Sequence, residues 1–460
     1  MNKINTKILI VNPPPFQLVE TFDTPEYPRL TLACLAAYLR ERDWQVDVLD
    51  CKYDQLNMME AMNKIKSMSP TVIGVTAMTN EIKQAGELAR LVKEHDLDIV
   101  TLIGGVHLTF AHEQTLREFP AFDYGIVGEG EETLDALLCE LQTDTPITSP
   151  GVCWIDHEKQ YHFTGMRALI NDINILPMPA WDMFRPATFY SIQTSRGCPF
   201  SCNFCTNQWG RMIRPRSPEK TIAELIWLAD RMAPKMISFA DEVFSINRNR
   251  TIEIMRMLIE NNLGKRFAWR CQTHINAIDF ELATLMRSAG CIMVALGVES
   301  GNEITLKNIG KGITKKRILE TGAALKKAKL PFTSFFIIGQ PNETPESANE
   351  TIRFAIELNA DVPVIGIMVP YPGTKIWEMM ERGEGGYIRQ TLDWNEFNKQ
   401  IGNAVTFQGI SRKKLESIQL FGYIKVFLYN LRFFDLAKFA FKYRRLVLSM
   451  IKKVILPSNL

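Results

Sequence analysis

The sequence predicts an α/β protein in which a doubly wound parallel sheet precedes a partial (βα)6 barrel and a helical C-terminal segment. Two observations support this prediction. Short β-branched runs alternate with longer amphipathic stretches from Lys7 to about residue 144, and the alternation resumes at Tyr190 after a proline-rich interval. Strands that alternate with helices are typical of parallel sheets with crossover connections.

The composition fits a globular protein with metal or redox chemistry. The 460 residues are 46% apolar and 23% charged, and a chain of this length is expected to form two or three domains. The apolar run of the N-terminus ends at three prolines and is too short for an export signal, so we expect a cytoplasmic location. Nine cysteines in such a chain indicate metal or redox chemistry rather than disulfides.

Residues 1–144 are predicted to form the doubly wound domain. The helices are expected at Leu32–Arg42, Ile82–His95 and Glu132–Leu141, and the five strands at Ile8–Val11, Val46–Leu49, Val72–Thr76, Ile99–Ile103 and Tyr124–Val127. A sheet of this kind binds its ligand outside the carboxyl ends of the strands. Glycines and small polar residues follow several of these strands, which predicts a large ligand lying against the backbone.

Five prolines between residues 145 and 189 predict a linker, and residues 190–400 are predicted to form the partial barrel. Its six strands are expected at Tyr190–Thr194, Met236–Ala240, Ala268–Thr273, Ile292–Gly297, Phe332–Gly339 and Val362–Val369. Active residues of such barrels lie at the carboxyl ends of the strands.

Three cysteines follow the first barrel strand at spacings of four and three residues, namely Cys198, Cys202 and Cys205. Thiolates this close together are typical of soft-metal or iron-sulfur sites. A structural zinc site needs a fourth ligand, and the next candidates along the chain, Cys271 and His274, are more than 60 residues away. The spacing therefore favours a four-iron cluster with one iron left open.

The motif CPFSCNFC resembles the CX3CX2C signature of the radical S-adenosylmethionine (SAM) superfamily. The resemblance implies that the open iron binds the methionine moiety of SAM. It also assigns SAM contacts to five residues near strand ends, namely Phe204, Glu242, Glu299, Ser300 and Gly339. For Glu242, the alternative is a solvated carboxylate at a helix start.

Four further residues are candidate substrate or cofactor contacts: Arg214, Arg216, His274 and Tyr371. His274 stands where relatives commonly have an arginine, and a lone histidine is more often a packed polar residue. The two arginines precede a helix with Ser217 as its predicted cap, so surface positions are the alternative for them. No residue is assigned as the catalytic group.

The N-terminal domain resembles the cobalamin-binding modules that are fused to this radical SAM subfamily. The resemblance rests on Asn12–Pro15, on the run from Gly104 to Thr109, and on the segment Val127–Thr133. It implies cobalamin contacts at Thr76, Thr79, Gly104, Gly105, His107, Gly128 and Glu129. No Asp-x-His-x-x-Gly motif occurs, so we expect no histidine below the cobalt; the alternative is a related domain that binds nothing.

Residues 401–460 are predicted to be a helical, basic and aromatic-rich segment. Residues 411–460 carry eleven Lys or Arg and two acidic residues, which gives this segment a charge of +9. The net charge of the whole chain is +2, so residues 1–410 have a net charge of −7. Two hypotheses stay open for this segment: a helical cap on the catalytic domain, or an amphipathic helix on the inner face of the membrane. Nucleic acid is not predicted as a partner, because RNA-modifying relatives carry a further cysteine triad that this chain lacks.

Three functions follow from the resemblance. The first is methylation of an unactivated carbon of a lipid or natural-product intermediate, with methylcobalamin and a 5′-deoxyadenosyl radical. The second is a cobalamin-dependent oxidation, cyclisation or rearrangement, as in porphyrin-ring cyclases. The third is a non-catalytic cofactor-binding or sensing protein. An enzyme of this kind also requires an external electron donor such as flavodoxin or ferredoxin.

Overall fold

The computed structural model describes residues 6–16, 27–398, 402–442, 444 and 447–448. The chain divides into two compact units. The first contains Met1–Cys198 and Asn207–Pro234, and the second contains Pro199–Thr206 and Lys235–Leu460.

The first unit is built on a seven-stranded sheet with the order β2-β1-β3-β4-β5-β6-β7. The first five strands are parallel, and β6 and β7 are added antiparallel at one edge. The strands are β1 (Lys7–Asn12), β2 (Gln45–Asp50), β3 (Val72–Thr76), β4 (Val100–Gly104), β5 (Tyr124–Ile126), β6 (Val152–Ile155) and β7 (Tyr161–Phe163).

Five helices accompany this sheet: α1 (Leu30–Arg40), α2 (Met58–Met68), α3 (Ile82–His95), α4 (Val106–Glu118) and α5 (Gly130–Thr143). The apolar faces of α1 and α5 share one core with the strands, which includes Leu32, Leu39, Leu134 and Leu137. A strand order that reverses beside β1 is the doubly wound topology, and its ligand crevice lies at the carboxyl ends near the reversal.

The remaining elements of the first unit follow β7 along the chain. They are β8 (Phe189–Ile192), the short antiparallel pair β9 (Ser195–Arg196) and β10 (Arg214–Pro215), and helix α6 (Pro218–Arg231). Helix α6 begins at Pro218, and the side chain of Ser217 caps it by accepting the backbone N–H of Lys220.

The second unit contains five consecutive parallel strands: β11 (Met236–Phe239), β12 (Ala268–Thr273), β13 (Cys291–Glu299), β14 (Phe332–Ile338) and β15 (Val362–Ile367). The hydrogen-bonded order of the whole sheet is β15-β14-β13-β12-β11-β8, which is sequential and typical of a partial barrel. The connecting helices are α7 (Arg248–Glu260), α8 (Leu263–Arg266), α9 (Phe280–Ser288), α10 (Glu303–Ile309), α11 (Lys315–Lys327) and α12 (Pro345–Leu358).

After the barrel strands, the chain forms a small hairpin and then two helices. These elements are α13 (Lys375–Glu381), β16 (Tyr387–Arg389), β17 (Val405–Phe407), α14 (Arg412–Tyr429) and α15 (Phe433–Lys442). Within the described residues, every helix is too short or too polar to cross a lipid bilayer.

The fold class predicted from the sequence is confirmed, and all eleven predicted strands are present, with each end within two residues of its predicted position. Two features differ from the prediction. The segment 145–189, expected to be a linker, contains β6 and β7, which extend the first sheet. The first compact unit also extends to Cys198 and includes residues 207–234, rather than ending near residue 144.

Candidate active site

At the carboxyl ends of β3 and β4, the structure brings together four of the residues predicted to contact cobalamin. Gly105 has φ +99°, and a Cβ added there would lie 2.7 Å from the Ala77 carbonyl and 2.9 Å from the Thr76 hydroxyl. Only glycine therefore fits at this position, where the backbone turns sharply from β4 into α4. The hydroxyl of Thr79 lies 3.3 Å from Nδ1 of His107.

His107 is buried and neutral. Its side chain is 1% exposed, and burial lowers its pKa to about 4. A neutral imidazole held against Thr79 offers polar contacts rather than a positive charge, and the contact of His107 with cobalamin stays a prediction.

Gly128 and Glu129 follow β5 and have different surroundings. Gly128 has φ +86°, and an added Cβ would meet only Met166 Cε at 3.7 Å, so its backbone borders open space. The carboxylate of Glu129 instead pairs with Arg196 at 3.1 Å and with Arg214 at 2.8 Å. All three side chains are buried, so the carboxylate of Glu129 is used inside the first unit.

The two arginines predicted as candidate contacts are both buried with partners. Besides Glu129, Arg214 donates to the carbonyls of Ile170 at 2.7 Å and Trp209 at 2.8 Å. Arg216 pairs with Glu224, whose carboxylate also accepts from the indole N–H of Trp181 at 3.0 Å. The surface position considered for these arginines is therefore wrong, whereas their contact with a substrate or cofactor stays a prediction.

A buried ionic network at the carboxyl ends of β1 and β2 was missed by the sequence analysis. Arg29 lies 3.0 Å from Glu81, and Lys52 lies 2.8 Å from the same carboxylate. Although burial works against it, the charges of Arg29 and Lys52 hold the pKa of Glu81 at about 2. Asp50 accepts from Asn12 at 2.6 Å and from the backbone of Arg29 at 2.8 Å. The available signal was a polar residue at the end of each strand, Asn12 and Asp50.

In the second unit, the loop that carries Cys202 and Cys205 is tied to the barrel by backbone hydrogen bonds. The N–H of Asn203 donates to Ile309 at 3.1 Å, and its carbonyl accepts from Ile376 at 3.2 Å. Cys202 and the predicted SAM contact Phe204 are half-buried, and Cys205 is exposed.

Cys198 is the last residue of its segment in the first unit. Its N–H donates to the carbonyl of Gly210 at 3.0 Å, and its carbonyl accepts from the side chain of Asn207 at 3.0 Å. Cys198, Cys202 and Cys205 form no disulfide bond.

The donor chemistry of this loop fits a four-iron cluster. Across the described residues, no three His, Cys, Asp or Glu side chains converge closely enough to hold one metal ion. A four-iron cluster has a different requirement, since each thiolate binds a separate iron. Cys198, Cys202 and Cys205 supply three soft sulfur donors within eight residues of chain, which suits such a cluster.

His274 is a packed residue whose two ring nitrogens both have partners. Its ring stacks on Phe200 of the cysteine loop, with 3.7 Å between ring centroids. Nδ1 accepts the N–H of Asn276 at 3.2 Å, so Nε2 carries the proton and donates to the Lys311 carbonyl at 3.2 Å. Burial and the charge of Lys311 lower the pKa of His274 to about 4. His274 thus joins the cysteine loop to the Lys311 segment.

Glu299, at the end of β13, occupies a strained turn. Its φ is +68°, and the N–H of Ser300 donates to Val298 at 2.9 Å, which closes a three-residue turn around Glu299. The buried carboxylate of Glu299 pairs with Nζ of Lys311. The sequence analysis did not predict a role for Lys311. Its position between two glycines, Gly310 and Gly312, is the one sequence feature that distinguishes it.

Ser300 is fully buried, and its hydroxyl contacts Thr351 at 3.1 Å. It also accepts the N–H of Asn302 at 3.1 Å. Glu242, at the end of β11, is half-buried beside the buried Asp241. The SAM contacts of Ser300 and Glu242 stay predictions.

Gly339 ends β14 in a left-handed turn with φ +83°. Its N–H donates to the buried carboxylate of Glu343, and its carbonyl accepts from Tyr387 at 3.1 Å. Burial raises the pKa of Glu343 to about 7, even though two backbone N–H groups work against the shift. After β15, the hydroxyl of Tyr371 donates to the Phe397 carbonyl at 3.2 Å, and burial raises its pKa to about 12.

Comparison with known proteins defines the class of the chain. Residues 23–138 match the B12 binding domain family, and residues 192–355 match the Radical SAM superfamily. An uncharacterized methyltransferase of Pyrococcus horikoshii is 32% identical over 403 residues, covering 85% of this chain and 86% of the relative. The anaerobic magnesium-protoporphyrin IX monomethyl ester cyclase of Rubrivivax gelatinosus is 28% identical, covering 81% and 69%.

Among solved structures, the cobalamin-dependent SAM radical enzyme OxsB, with aqua-cobalamin and SAM bound, superposes with a TM-score of 0.74. It is 18% identical, and the match covers 97% of this chain and 72% of that one. The two matched domain families and the fold define a radical SAM enzyme with a B12-binding domain. The chain belongs to the family of cobalamin-binding radical SAM enzymes, whose cofactors are cobalamin, a four-iron cluster and SAM.

Proposed function

We propose that this protein methylates an unactivated carbon of a lipid or natural-product intermediate. The observation that carries the proposal is that one chain combines both cofactor domains and is 32% identical, over most of its length, to a relative named as a methyltransferase. When bound, the cluster and SAM supply a 5′-deoxyadenosyl radical that abstracts a substrate hydrogen, and cobalamin supplies the methyl group.

In this proposal, most of the groups that would hold the cluster and SAM lie in the second unit, and Cys198 is contributed by the first. The thiolates of Cys198, Cys202 and Cys205 would hold three irons of the cluster and leave the fourth iron for the methionine moiety of SAM. Lys311 fixes the carboxylate of Glu299 at the end of β13, which favours a charged contact to SAM at that point. The other proposed SAM contacts are Phe204, Glu242, Ser300 and the backbone at Gly339.

The first unit contributes the proposed cobalamin site. Thr76, Thr79 and His107 offer hydroxyl and imidazole groups at the ends of β3 and β4. Gly104, Gly105 and Gly128 let a large ligand approach the backbone, because a Cβ at Gly104 or Gly128 meets nothing closer than about 3.7 Å. For Glu129 we propose a contact through its backbone, since its carboxylate is paired with two arginines.

The remaining contacts are proposed by position. Tyr371 follows β15, where its hydroxyl is hydrogen-bonded and uncharged at neutral pH, and it is a candidate for the substrate side. For Arg214, Arg216 and His274, whose polar atoms have partners within their own unit, we propose that they act by holding the cofactor-binding segments.

We further infer a cytoplasmic enzyme that takes a small-molecule or lipid substrate and receives electrons from an external donor such as flavodoxin or ferredoxin. Reductive cleavage of SAM consumes an electron, and a cytoplasmic compartment keeps nine free cysteines reduced.

The test is anaerobic turnover of the protein reconstituted with iron, sulfide and hydroxocobalamin, given SAM, a reductant and an apolar cell extract as the source of acceptor. Methyl transfer predicts equal amounts of S-adenosylhomocysteine and 5′-deoxyadenosine. Cys202→Ala should abolish both products, whereas Cys139→Ala, a half-buried cysteine outside the loop, should retain them. Formation of 5′-deoxyadenosine without S-adenosylhomocysteine would contradict the proposal.

The second candidate is a cobalamin-dependent oxidation or cyclisation without methyl transfer. It is favoured by the similarity to the Rubrivivax cyclase over 81% of the chain. Transfer of deuterium from labelled acceptor into deoxyadenosine, with an unmethylated product, would support this reaction over methylation.

A further inference from the structure

The two C-terminal helices have different surroundings, and this difference separates the two hypotheses that the sequence left open. Helix α14 packs on β15, the edge strand of the barrel sheet. Gln419 donates to the carbonyl of Ile365 at 2.7 Å, and the hydroxyl of Tyr423 accepts the N–H of Ile365 at 2.9 Å. Side chains of α14 thus hydrogen-bond the backbone groups of Ile365 on this edge strand. Helix α14 therefore caps the edge of the barrel sheet.

Among the described residues, helix α15 contacts α14 through the face that carries Phe439. The ring of Phe439 stacks on Tyr423 with 4.9 Å between centroids and lies 5.8 Å from Phe427. Residues of α15 on the side away from Phe439 therefore point to solvent. Phe434 is 89% exposed and Phe441 is 75% exposed, and they lie seven residues apart on one helix face with the exposed Lys438 between them.

Three more large apolar side chains lie just before this stripe: Tyr429 is 73% exposed, Leu431 is 76% exposed and Phe433 is 57% exposed. Together with Phe434 and Phe441 we call them the aromatic face. Single exposed apolar residues are normal on protein surfaces, but here five occur within thirteen residues of chain. The guanidinium of Arg444 lies 5.5 Å from the ring centroid of Phe441, so a cation already accompanies this segment.

The charge around the aromatic face is strongly positive. After Glu416, Asp435 is the only acidic residue in the sequence, whereas residues 411–460 carry eleven Lys or Arg. Lys425 of α14 and Lys438 of α15 are exposed, and so is Arg444, two residues beyond the end of α15. We propose that the aromatic face docks on an anionic lipid bilayer, with its rings at the headgroup boundary and its cations against the headgroups.

A bilayer fits this surface better than the two other occupants. A second copy of the chain would bring two segments of +9 together, which like-charge repulsion disfavours. Nucleic acid would satisfy the cations, but bases stack on aromatic rings lining a groove, and these rings project outward from a helix. The proposal does not depend on the reaction, although a lipid-bound enzyme could take its substrate directly from the bilayer.

Flotation of the full-length protein with vesicles tests the proposal, using phosphatidylcholine alone or mixed with phosphatidylglycerol. We expect the protein to float with the anionic vesicles and much less with the neutral ones. The variant Phe434→Ser/Phe441→Ser should lose about tenfold in bound fraction at limiting lipid, because two interfacial rings are removed. The control Met59→Ser/Leu97→Ser replaces side chains that are 70% and 78% exposed in the first unit, and should bind as wild type.

All four positions are exposed, so thermal melting should be the same for both variants and wild type. The proposal is overturned if wild type fails to float with anionic vesicles, or if the Phe434→Ser/Phe441→Ser variant floats as well as wild type. Light scattering that shows a dimer lost only in that variant would assign the face to a second copy. Displacement from vesicles by excess RNA, but not by salt of equal ionic strength, would assign it to nucleic acid.

Discussion

Glu129 has two competing roles, a cobalamin contact implied by its motif and the centre of a buried ion-pair cluster seen in the structure. Its carboxylate pairs with Arg196 and Arg214 and accepts the N–H of Ile170 at 2.8 Å. Removing the charge would leave two buried guanidinium groups with less compensation. Breaking a buried pair in this way typically costs about 3–5 kcal/mol.

We therefore expect Glu129→Gln to lower the free energy of unfolding by about 3 kcal/mol, measured as a shift of the urea midpoint. Glu132→Gln is the matched control, because Glu132 lies three residues further on in the first turn of α5, is partly exposed and is 3.8 Å from Arg167. Its loss should cost under about 1 kcal/mol. A variant at position 129 that unfolds like wild type but loses cobalamin would instead assign the carboxylate to the ligand.

Glu343 predicts how stability changes with pH. Burial raises its pKa to about 7 from 4.5, so the folded protein keeps a proton that the unfolded chain releases above pH 4.5. Its contribution to the free energy of unfolding is therefore most favourable below pH 4.5 and falls as pH rises to 7. The expected loss is up to about 3 kcal/mol.

Glu343→Gln keeps an oxygen that can accept the N–H groups of Gly339 and Gln340 but removes the titration. We expect the urea midpoint of the variant to rise relative to that of wild type as the pH is increased from 5 to 8. Glu346→Gln, in the first turn of α12, should follow wild type at every pH. Parallel pH profiles for wild type and Glu343→Gln would show that the carboxyl group is ionised throughout.

At the scale of elements, α14 stabilises the barrel by completing the edge of its sheet. An edge strand that is covered by a helix still needs partners for its backbone groups. Tyr423 supplies them for Ile365 through one hydroxyl, which accepts the N–H at 2.9 Å and lies 3.3 Å from the carbonyl oxygen. The helix is buried through Leu415, Ile418 and Val426, so water cannot replace this hydroxyl easily.

Tyr423→Phe should lower the free energy of unfolding by about 1–3 kcal/mol, because a buried N–H loses its partner. Tyr429→Phe, one helix turn and a half further on, removes the same hydroxyl from a side chain that is 73% exposed and should change stability by less than about 0.5 kcal/mol. Equal urea midpoints for the two variants would contradict a role for Tyr423 in closing the sheet edge.

The sequence predicted these elements best where periodicity was strong. Helix α3 and strands β3 and β12 have the predicted bounds, because each has a regular apolar period between clear boundary residues. Strands β6 and β7 were missed because they have only four and three residues inside a proline-rich segment, and their pairing with β5 depends on tertiary contacts. Short strands of this kind have too few residues to show a period of two.

At the scale of the whole molecule, the sequence predicts the candidate cofactor-binding segments but not which side chains hold those segments in place. The cysteine spacing and the strand-end glycines are local patterns, and the structure confirms their positions in the fold. The ion pair of Glu129 with Arg214 joins residues 85 positions apart, and that of Lys52 with Glu81 joins residues 29 apart. Such pairs follow from the folded arrangement, so one sequence without its fold cannot reveal them.

The candidate cobalamin contacts lie in the first unit, whereas two of the three cluster cysteines, Cys202 and Cys205, lie in the second. We therefore predict that cobalamin and iron can be lost separately. Gly105→Ala would place a Cβ 2.7 Å from the Ala77 carbonyl and should reduce bound cobalamin by at least about tenfold while iron content is retained. Gly165→Ala is the control, because Gly165 has a similar positive φ of +82° but open space around it. Cys202→Ala should give the reverse pattern, with iron lost and cobalamin retained. The measurement is the amount of cobalamin and of iron extracted per chain from each variant. Loss of both cofactors in either variant would show that the two sites depend on each other.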